Sequence, residues 1–269
     1  MAARRNRTAT EVDFLAYKFN PQRTKEEVVN WIRDWFETNG RTYNAVVGIS
    51  GGKDSTIVAA LCVEALSRDR VIGVMMPNIA QADIEDSFAV VEHLGIQHYM
   101  VPVTMPVTDI LNQLMSCGIS PSPQTTVNLP ARIRMATLYA VSQSVNGRVA
   151  NTCNLSEDWI GYSTRYGDLA GDFCPLAGLT VEEVKQIGLL LDLPAHLINK
   201  APSDGLCGRT DEDNFGFTYA ELDKYIRTGV CDNQIIKAKI DQKHRANLFK
   251  LSMPPSYEPG LAIQAGGCR

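Results

Sequence analysis

The stretch VVGISGGKDST at residues 46–56 combines glycines, a lysine, a carboxylate and hydroxyl groups directly after an apolar run. Glycines let the backbone approach an anion closely, and inward-pointing amides form an anion-binding concavity. The hydroxyl groups of Ser50, Ser55 and Thr56 add donors, and the N-terminus of a following helix favours negative charge. The stretch therefore predicts a phosphate-binding loop rather than an ordinary tight turn before a helix.

Two common phosphate-binding loops do not fit this stretch. A P-loop requires Ser or Thr after its lysine, but Lys53 is followed by Asp54. A dinucleotide fingerprint requires G-x-G-x-x-G, which residues 48–52 do not supply. The remaining pattern, S-G-G-x-D-S, resembles the pyrophosphate-binding loop of the N-type ATP pyrophosphatases. This resemblance implies adenylation with release of pyrophosphate, and a carboxylate among phosphates implies a bridging magnesium ion.

The elements around this loop alternate between strand and helix. Apolar runs predict strands at residues 45–49, 71–76, 99–103 and 148–152, and helical patterns fill the intervals between them. Such alternation predicts an α/β domain with a doubly wound parallel sheet and helices on both faces. A capping box formed by Thr24 and Glu27 predicts the start of the helix that precedes the first strand.

The rest of the chain is expected to complete one domain. A second capping box at Thr180 and Glu183 opens a helix, and two further helices are predicted at 219–227 and 233–249. Residues 200–217 form a long polar loop, which we expect to close over a substrate. We expect an N-terminal arm at 1–23, a catalytic domain at 24–255 and an irregular tail at 256–269.

Four segments downstream of the loop resemble, in the same order, segments of the NAD synthetases. They are 128–135 (NLPARIRM), 151–157 (NTCNLSE), 161–175 (GYSTRYGDLAGDFCP) and 201–223. The resemblance implies an adenine nucleotide alpha hydrolase-like fold and a homodimer. It also implies ATP-dependent amidation of deamido-NAD to NAD by ammonia, through an adenylated intermediate, with Mg²⁺ as cofactor.

The resemblance assigns site residues position by position. ATP is expected at Gly48, Ile49, Ser50, Gly51, Gly52, Lys53, Asp54, Ser55, Thr152 and Ser203. Asp54 and Glu157 are the expected magnesium ligands, and deamido-NAD is expected at Arg132, Arg165, Asp172, His244 and Arg245. Plainer interpretations stay open: Thr152 and Ser203 could be turn or cap hydroxyls, and Glu157 could be a solvated residue at a helix start.

Position 181 departs from the family pattern. The family commonly has a lysine near the ATP phosphates where this chain has Val181, and we hypothesise that Lys53 or Lys185 supplies the charge instead. Arg165 stands where a lysine is usual, which keeps the charge but changes the geometry of its contacts.

Composition narrows the remaining possibilities. The net charge of −4 and the pI of about 5.6 disfavour a nucleic-acid binder, and no apolar run is long enough to span a bilayer. None of the seven cysteines forms a C-x-x-C pair, which favours a reducing cytoplasm.

No segment before residue 24 could form a glutaminase domain, so free ammonia is the expected nitrogen donor. The alternatives are another N-type ATP pyrophosphatase, of the tRNA-modifying type, and a catalytically weakened ATP-binding homologue.

Overall fold

A computed structural model describes residues 18–79, 84–198 and 211–260 of the chain. Its four strands are β1 (Asn44–Gly48), β2 (Val71–Met75), β3 (Gln97–Met100) and β4 (Gly147–Ala150). The helices in the N-terminal half are α1 (Pro21–Asn39), α2 (Lys53–Leu66), α3 (Ile84–Leu94), α4 (Thr104–Ser116) and α5 (Pro123–Ser144). Those that follow are α6 (Leu155–Ile160), α7 (Val181–Gly188), α8 (Ala195–Ile198), α9 (Asp211–Phe215), α10 (Tyr219–Thr228) and α11 (Gln234–Asn247).

The sheet is parallel throughout, with strand order β3-β2-β1-β4. The chain adds β2 and β3 on one side of β1 and then returns to place β4 on the other side. This is the doubly wound arrangement that the alternation of elements predicted.

Both faces of the sheet are covered by helices. Along β1, Ala45 and Val47 join the larger core on the side of α1, α2 and α7, whereas Val46 packs on the opposite side with Leu138 of α5. Alternate residues of a strand point to opposite faces, so a strand buried on both sides needs a continuous apolar run. The sequence of β1, NAVVG, provides that run.

Several element boundaries differ from the sequence-based predictions, most clearly those of the first helix and the third strand. Helix α1 begins at Pro21, not at Thr24, because the side chain of Asn20 accepts a hydrogen bond from the Arg23 amide and caps the helix four residues before Thr24. Strand β3 begins at Gln97 and ends at Met100, whereas the apolar pattern favoured 99–103. All four of its residues are exposed at the sheet edge, so apolar content does not mark its bounds.

A smaller helical layer follows the last strand. Its core contains Ile160, Val181, Phe215, Leu222 and Ile240, which come from α6, α7, α9, α10 and α11. Within the described residues, none of the helices has the length and apolar character that crossing a membrane requires.

Candidate active site

The loops after β1 and β4 lie side by side at the carboxyl ends of the strands. Val47 of β1 pairs with Ala150 of β4, so residues 49–52 and 151–154 leave the sheet together. Strands β2 and β3 lie on one side of β1 and β4 lies on the other, so the strand order reverses here. Open α/β sheets bind their ligands at such a point. The first loop leads into α2 and the second into α6.

The glycine loop is held in shape by its own hydroxyl groups. The hydroxyl groups of Ser55 and Thr56 both donate to the Gly52 carbonyl, at 3.1 and 2.8 Å, and the Ser55 hydroxyl also lies 3.1 Å from that of Ser50. Gly51 has a φ of 78°, a conformation that favours glycine. Gly52 caps α2 without a side-chain acceptor, so no side chain competes for the amides of the first turn.

Asn154 links the two predicted magnesium ligands. Its side-chain oxygen accepts a hydrogen bond from the Glu157 amide at 3.1 Å and so caps α6, while its side-chain nitrogen lies 3.4 Å from Oδ1 of Asp54. Asn154 is itself fully buried. The structure therefore brings Asp54 and Glu157, which are about a hundred residues apart in sequence, to one buried asparagine.

Burial and neighbouring charges shift the pKa values of Glu157 and Lys53 in this site. Burial, followed by the charge of Asp54, raises the pKa of Glu157 to about 8, against the opposing effect of Lys53. Lys53 is 4 % exposed, and its ammonium lies 2.6 Å from Oδ2 of Asp54. Burial lowers the pKa of Lys53, but Asp54, Glu157 and Asp211 outweigh it and the net pKa is raised. A group of carboxylates around one ammonium is suited to binding a cation.

Asp211 and Tyr219 complete this cluster and were not predicted from the sequence as site residues. The carboxylate of Asp211 accepts hydrogen bonds from the hydroxyl groups of Tyr162 and Tyr219, at 3.2 and 3.3 Å. Burial and the nearby carboxylates raise the pKa of Tyr219. The segment TDE at 210–212 was part of the family resemblance, but its position against Lys53 depends on how α9 and α10 pack.

The predicted substrate cations lie on a neighbouring surface. Nε of Arg132 donates to the Arg165 carbonyl at 3.3 Å, which places the two residues side by side. The Arg165 guanidinium lies over the rings of Tyr166 and Phe249, 5.0 and 5.5 Å from their centroids. Two adjacent arginines can pair with an anionic pyrophosphate or carboxylate.

The other predicted substrate residues have structural partners. His244 stacks on Trp159 at 4.1 Å between centroids, and its Nδ1 lies 2.8 Å from the Trp159 carbonyl. One oxygen of Asp172 accepts the Val149 amide of β4 at 2.7 Å, and the other lies 3.4 Å from the Tyr139 hydroxyl. Arg245 is exposed on α11, where its charge acts on Asp241. Thr152 lies in the loop after β4, and Ser203 lies outside the described residues.

Position 181 and the two lysines proposed to replace the missing one lie in different surroundings. Val181 is 1 % exposed and belongs to the apolar core of the helical layer, alongside Phe215 and Tyr219. Lys185 lies one turn further along α7 and has no described contact with the carboxylates. Lys53 is the lysine that the structure places among them.

Comparison with known proteins adds to this geometry. Residues 24–257 match the sequence model of NAD synthase. The chain belongs to the NAD synthase family. It is 39% identical over 212 residues to an NH(3)-dependent NAD(+) synthetase of Methanocaldococcus jannaschii, covering 75% of this chain and 80% of the relative. These matches confirm the predicted family and an enzyme of the ligase class.

Solved structures of this family share the fold. An NMN synthetase from Francisella tularensis superposes with a TM-score of 0.82 at 31% identity, covering 91% of this chain and all of the other. An NH3-dependent NAD synthetase from Campylobacter jejuni superposes with a TM-score of 0.70 at 27% identity, covering 90% of this chain and all of the other. The predicted adenine nucleotide alpha hydrolase-like fold is therefore confirmed, and the chain is an NAD synthase family ligase.

Proposed function

We propose that the chain amidates deamido-NAD to NAD with ammonia and ATP. The observation that carries this proposal is the position of the glycine loop beside Asp54 and Glu157, which Asn154 holds at the carboxyl end of the sheet. The nicotinate carboxylate attacks the α-phosphorus of ATP, and the bond to the β-phosphate breaks to release pyrophosphate. Ammonia then attacks the acyl carbon, AMP leaves, and a proton is released as the amide forms.

The chain's residues divide these tasks between them. Residues 48–55 hold the pyrophosphate part of ATP through backbone amides at the start of α2. The ribose, phosphate and carboxylate groups of deamido-NAD lie toward Arg132, Arg165, Asp172, His244 and Arg245. These contacts orient the nicotinate carboxylate toward the α-phosphorus, and a fixed orientation accounts for much of the rate enhancement in a two-substrate reaction.

Asp54 and Glu157 would hold the magnesium ion. Their oxygen donors suit Mg²⁺, and the pKa of Glu157 is raised first by burial and then by the charge of Asp54 close by. Among the described residues, no three His, Cys, Asp or Glu side chains are grouped to hold a metal by themselves. Mg²⁺ usually combines one or two carboxylates with substrate phosphates and water, so two donors fit. When bound, it would supply charge neutralisation of the leaving pyrophosphate.

We further propose that the enzyme is a homodimer in the cytoplasm. Strand β3 is an edge of the sheet, and exposed apolar side chains lie on it and on the helix and turn that follow. They are Tyr99, Met100, Met105, Ile110, Met115 and Ile119. Apolar groups exposed in this number beside an open sheet edge are typical of a protein–protein contact.

The assay should include a mononucleotide as a second substrate. The likeness to the NMN synthetase of Francisella tularensis favours amidation of a mononucleotide as an alternative to the dinucleotide. The same carboxylate, ATP loop and ammonia chemistry would apply to nicotinate mononucleotide. Family membership does not favour a tRNA-modifying pyrophosphatase or a weakened homologue.

The test is a product assay with both nicotinate substrates. Purified protein is incubated with Mg-ATP, ammonium and either deamido-NAD or nicotinate mononucleotide, and the products are separated by chromatography. We expect NAD, AMP and pyrophosphate in equal amounts from deamido-NAD, and loss of all three in Glu157→Gln. A higher kcat/KM with the mononucleotide would reassign the substrate, and ATP binding without products would overturn the proposal.

A further inference from the structure

Lys53 has an unusual environment for a lysine. It is almost fully buried, its ammonium contacts Asp54 at 2.6 Å, and the charges of Glu157 and Asp211 also act on it. A buried ammonium is costly unless carboxylates pair with it, and buried carboxylates are costly without a cation. Lys53 and the carboxylates therefore compensate each other in the protein without metal.

The position of Lys53 in the chain gives it a second possible partner. It is the first residue of α2 and follows Gly52 directly, so its Cα lies where the glycine loop meets the helix N-terminus. A lysine has a flexible four-carbon stem and three donors, which allows its ammonium to exchange one anion for another. The anion that the loop is built to hold is a pyrophosphate group.

Position 181 on α7, where the family commonly has a lysine, provides no cation in this chain. Val181 packs against Tyr219, whose hydroxyl contacts Asp211, and its side chain is apolar. The side chain at position 181 therefore contributes no charge to the cluster formed by Lys53 and its carboxylates. Lys53 is the lysine whose ammonium contacts Asp54.

We propose that Lys53 is the resident counter-ion of Asp54, that its ammonium leaves this contact when a divalent cation enters, and that it then pairs with the pyrophosphate group of ATP. The last step rests on the proposed function, and the first two do not. Lys53 thus acts both as a stand-in for the metal and as a ligand of the leaving group.

The first test measures metal binding without nucleotide. Mg²⁺ is titrated calorimetrically into the wild type and Lys53→Met, with Lys224→Met as a matched control because that lysine is in an exposed pair with Asp232 on the far side of α10. Removal of a competing positive charge is expected to tighten Mg²⁺ binding by at least about tenfold in Lys53→Met. Unchanged or weaker Mg²⁺ binding would overturn the counter-ion role.

The second test measures how tightly the protein binds pyrophosphate, the leaving group of the reaction. In Lys53→Met, inorganic pyrophosphate with Mg²⁺ should bind roughly tenfold more weakly than in the wild type, and KM for ATP should rise while KM for deamido-NAD stays the same. Lys53→Arg should recover part of the affinity for pyrophosphate. If Lys185→Met shows the loss instead, the phosphate role belongs to Lys185 and the proposal fails.

A measurement on the wild type covers the case in which Lys53→Met does not fold. In protein labelled with ¹⁵N-lysine, the buried ammonium should give a slowly exchanging signal, assigned by its absence in Lys53→Arg. Mg²⁺ with pyrophosphate should shift this signal, and an unperturbed signal at saturation would contradict the exchange of partners. If turnover is absent but Mg²⁺ still shifts the signal, the proposed function fails while the counter-ion role stands.

Discussion

Asp223 connects three helices directly behind Glu157. It lies on α10 and accepts a hydrogen bond from the Ser156 hydroxyl of α6 at 2.5 Å and from the Glu182 amide of α7 at 2.9 Å. Ser156 also accepts the Val181 amide at 3.1 Å. Ser156 precedes Glu157, so this contact fixes the first turn of α6 relative to α7 and α10. We predict that Asp223 positions Glu157 for the metal.

The cost of breaking this contact follows from the hydrogen bonds. Asp223→Ala removes at least two bonds to a charged acceptor, each worth about 1.5–3 kcal/mol, and leaves the buried Ser156 hydroxyl without that acceptor. Burial raises the pKa of Asp223, so removal of the buried charge returns part of that loss. We therefore expect the free energy of unfolding to fall by about 3–4 kcal/mol. In Asp223→Asn, the side-chain NH₂ group faces one of the former donors and cannot accept its hydrogen bond. The free energy of unfolding should therefore fall by about 2 kcal/mol.

Urea unfolding and magnesium titration of activity are the assays. Ser156→Ala should lose about 1–3 kcal/mol, and the double variant with Asp223→Ala should lose less than the sum of the single losses because the two residues share one bond. The magnesium concentration for half-maximal activity should rise several-fold in Asp223→Asn, with KM for deamido-NAD unchanged.

A matched control is available in the segment after α10. Asp232 forms an exposed pair with Lys224, and Asp232→Asn should change stability by no more than about 0.5 kcal/mol. Additive effects of Ser156→Ala and Asp223→Ala, or an Asp223→Ala variant as stable as the wild type, would show that Asp223 does not hold Ser156 in place.

Three further predictions address the carboxylates, the substrate surface and assembly. Glu157→Gln should abolish turnover yet stabilise the protein increasingly from pH 5 to pH 8. Folding raises the pKa of this carboxyl from 4.5 to about 8 even with Lys53 beside it, so the native state loses stability as pH rises, by up to about 5 kcal/mol. Thermal unfolding at pH 5, 7 and 8 measures this, and an equal difference at all three would contradict it. Arg165→Ala should raise KM for deamido-NAD at least about tenfold and leave KM for ATP within about twofold, because the arginine lies beside Arg132 in the proposed deamido-NAD site. Steady-state kinetics with each substrate varied measures this, and an equal effect on both KM values would contradict it. If the proposed dimer forms through this face, Ile110→Glu should give a monomer in light scattering, since a charge in an apolar contact is strongly unfavourable, and an unchanged dimer mass would place the contact elsewhere.

The sequence was sufficient for the architecture because the relevant patterns are local. The apolar run before the glycine loop and the alternation of strands with helices predicted the doubly wound sheet, which the structure confirms. The predicted boundaries were wrong where something other than apolar content sets them. Asn20 caps α1 four residues before Thr24, and the edge strand β3 contains polar residues. Caps and edge positions depend on single side chains and on neighbours in space.

The site was only partly predictable from sequence, since its members meet through tertiary packing. Asp54 and Glu157 were expected as a pair from family resemblance, but the bridge through Asn154 follows from the pairing of β1 with β4. An asparagine three residues before a glutamate could have been recognised as a helix cap, though not as a contact of Asp54. Asp211 reaches the cluster because α9 and α10 fold back over α6, and no spacing in the sequence indicates this.

In the proposed reaction, the carboxylate of deamido-NAD attacks the α-phosphorus of ATP. This step can be tested with deamido-NAD labelled with ¹⁸O at both oxygens of the nicotinate carboxylate, and mass spectrometry of the nucleotide and phosphate products after one turnover with Mg-ATP and ammonium. We expect one ¹⁸O atom in AMP, one retained in the amide of NAD, and none in pyrophosphate. Formation of ADP with ¹⁸O in inorganic phosphate would instead show attack at the γ-phosphorus and rule out the adenylated intermediate.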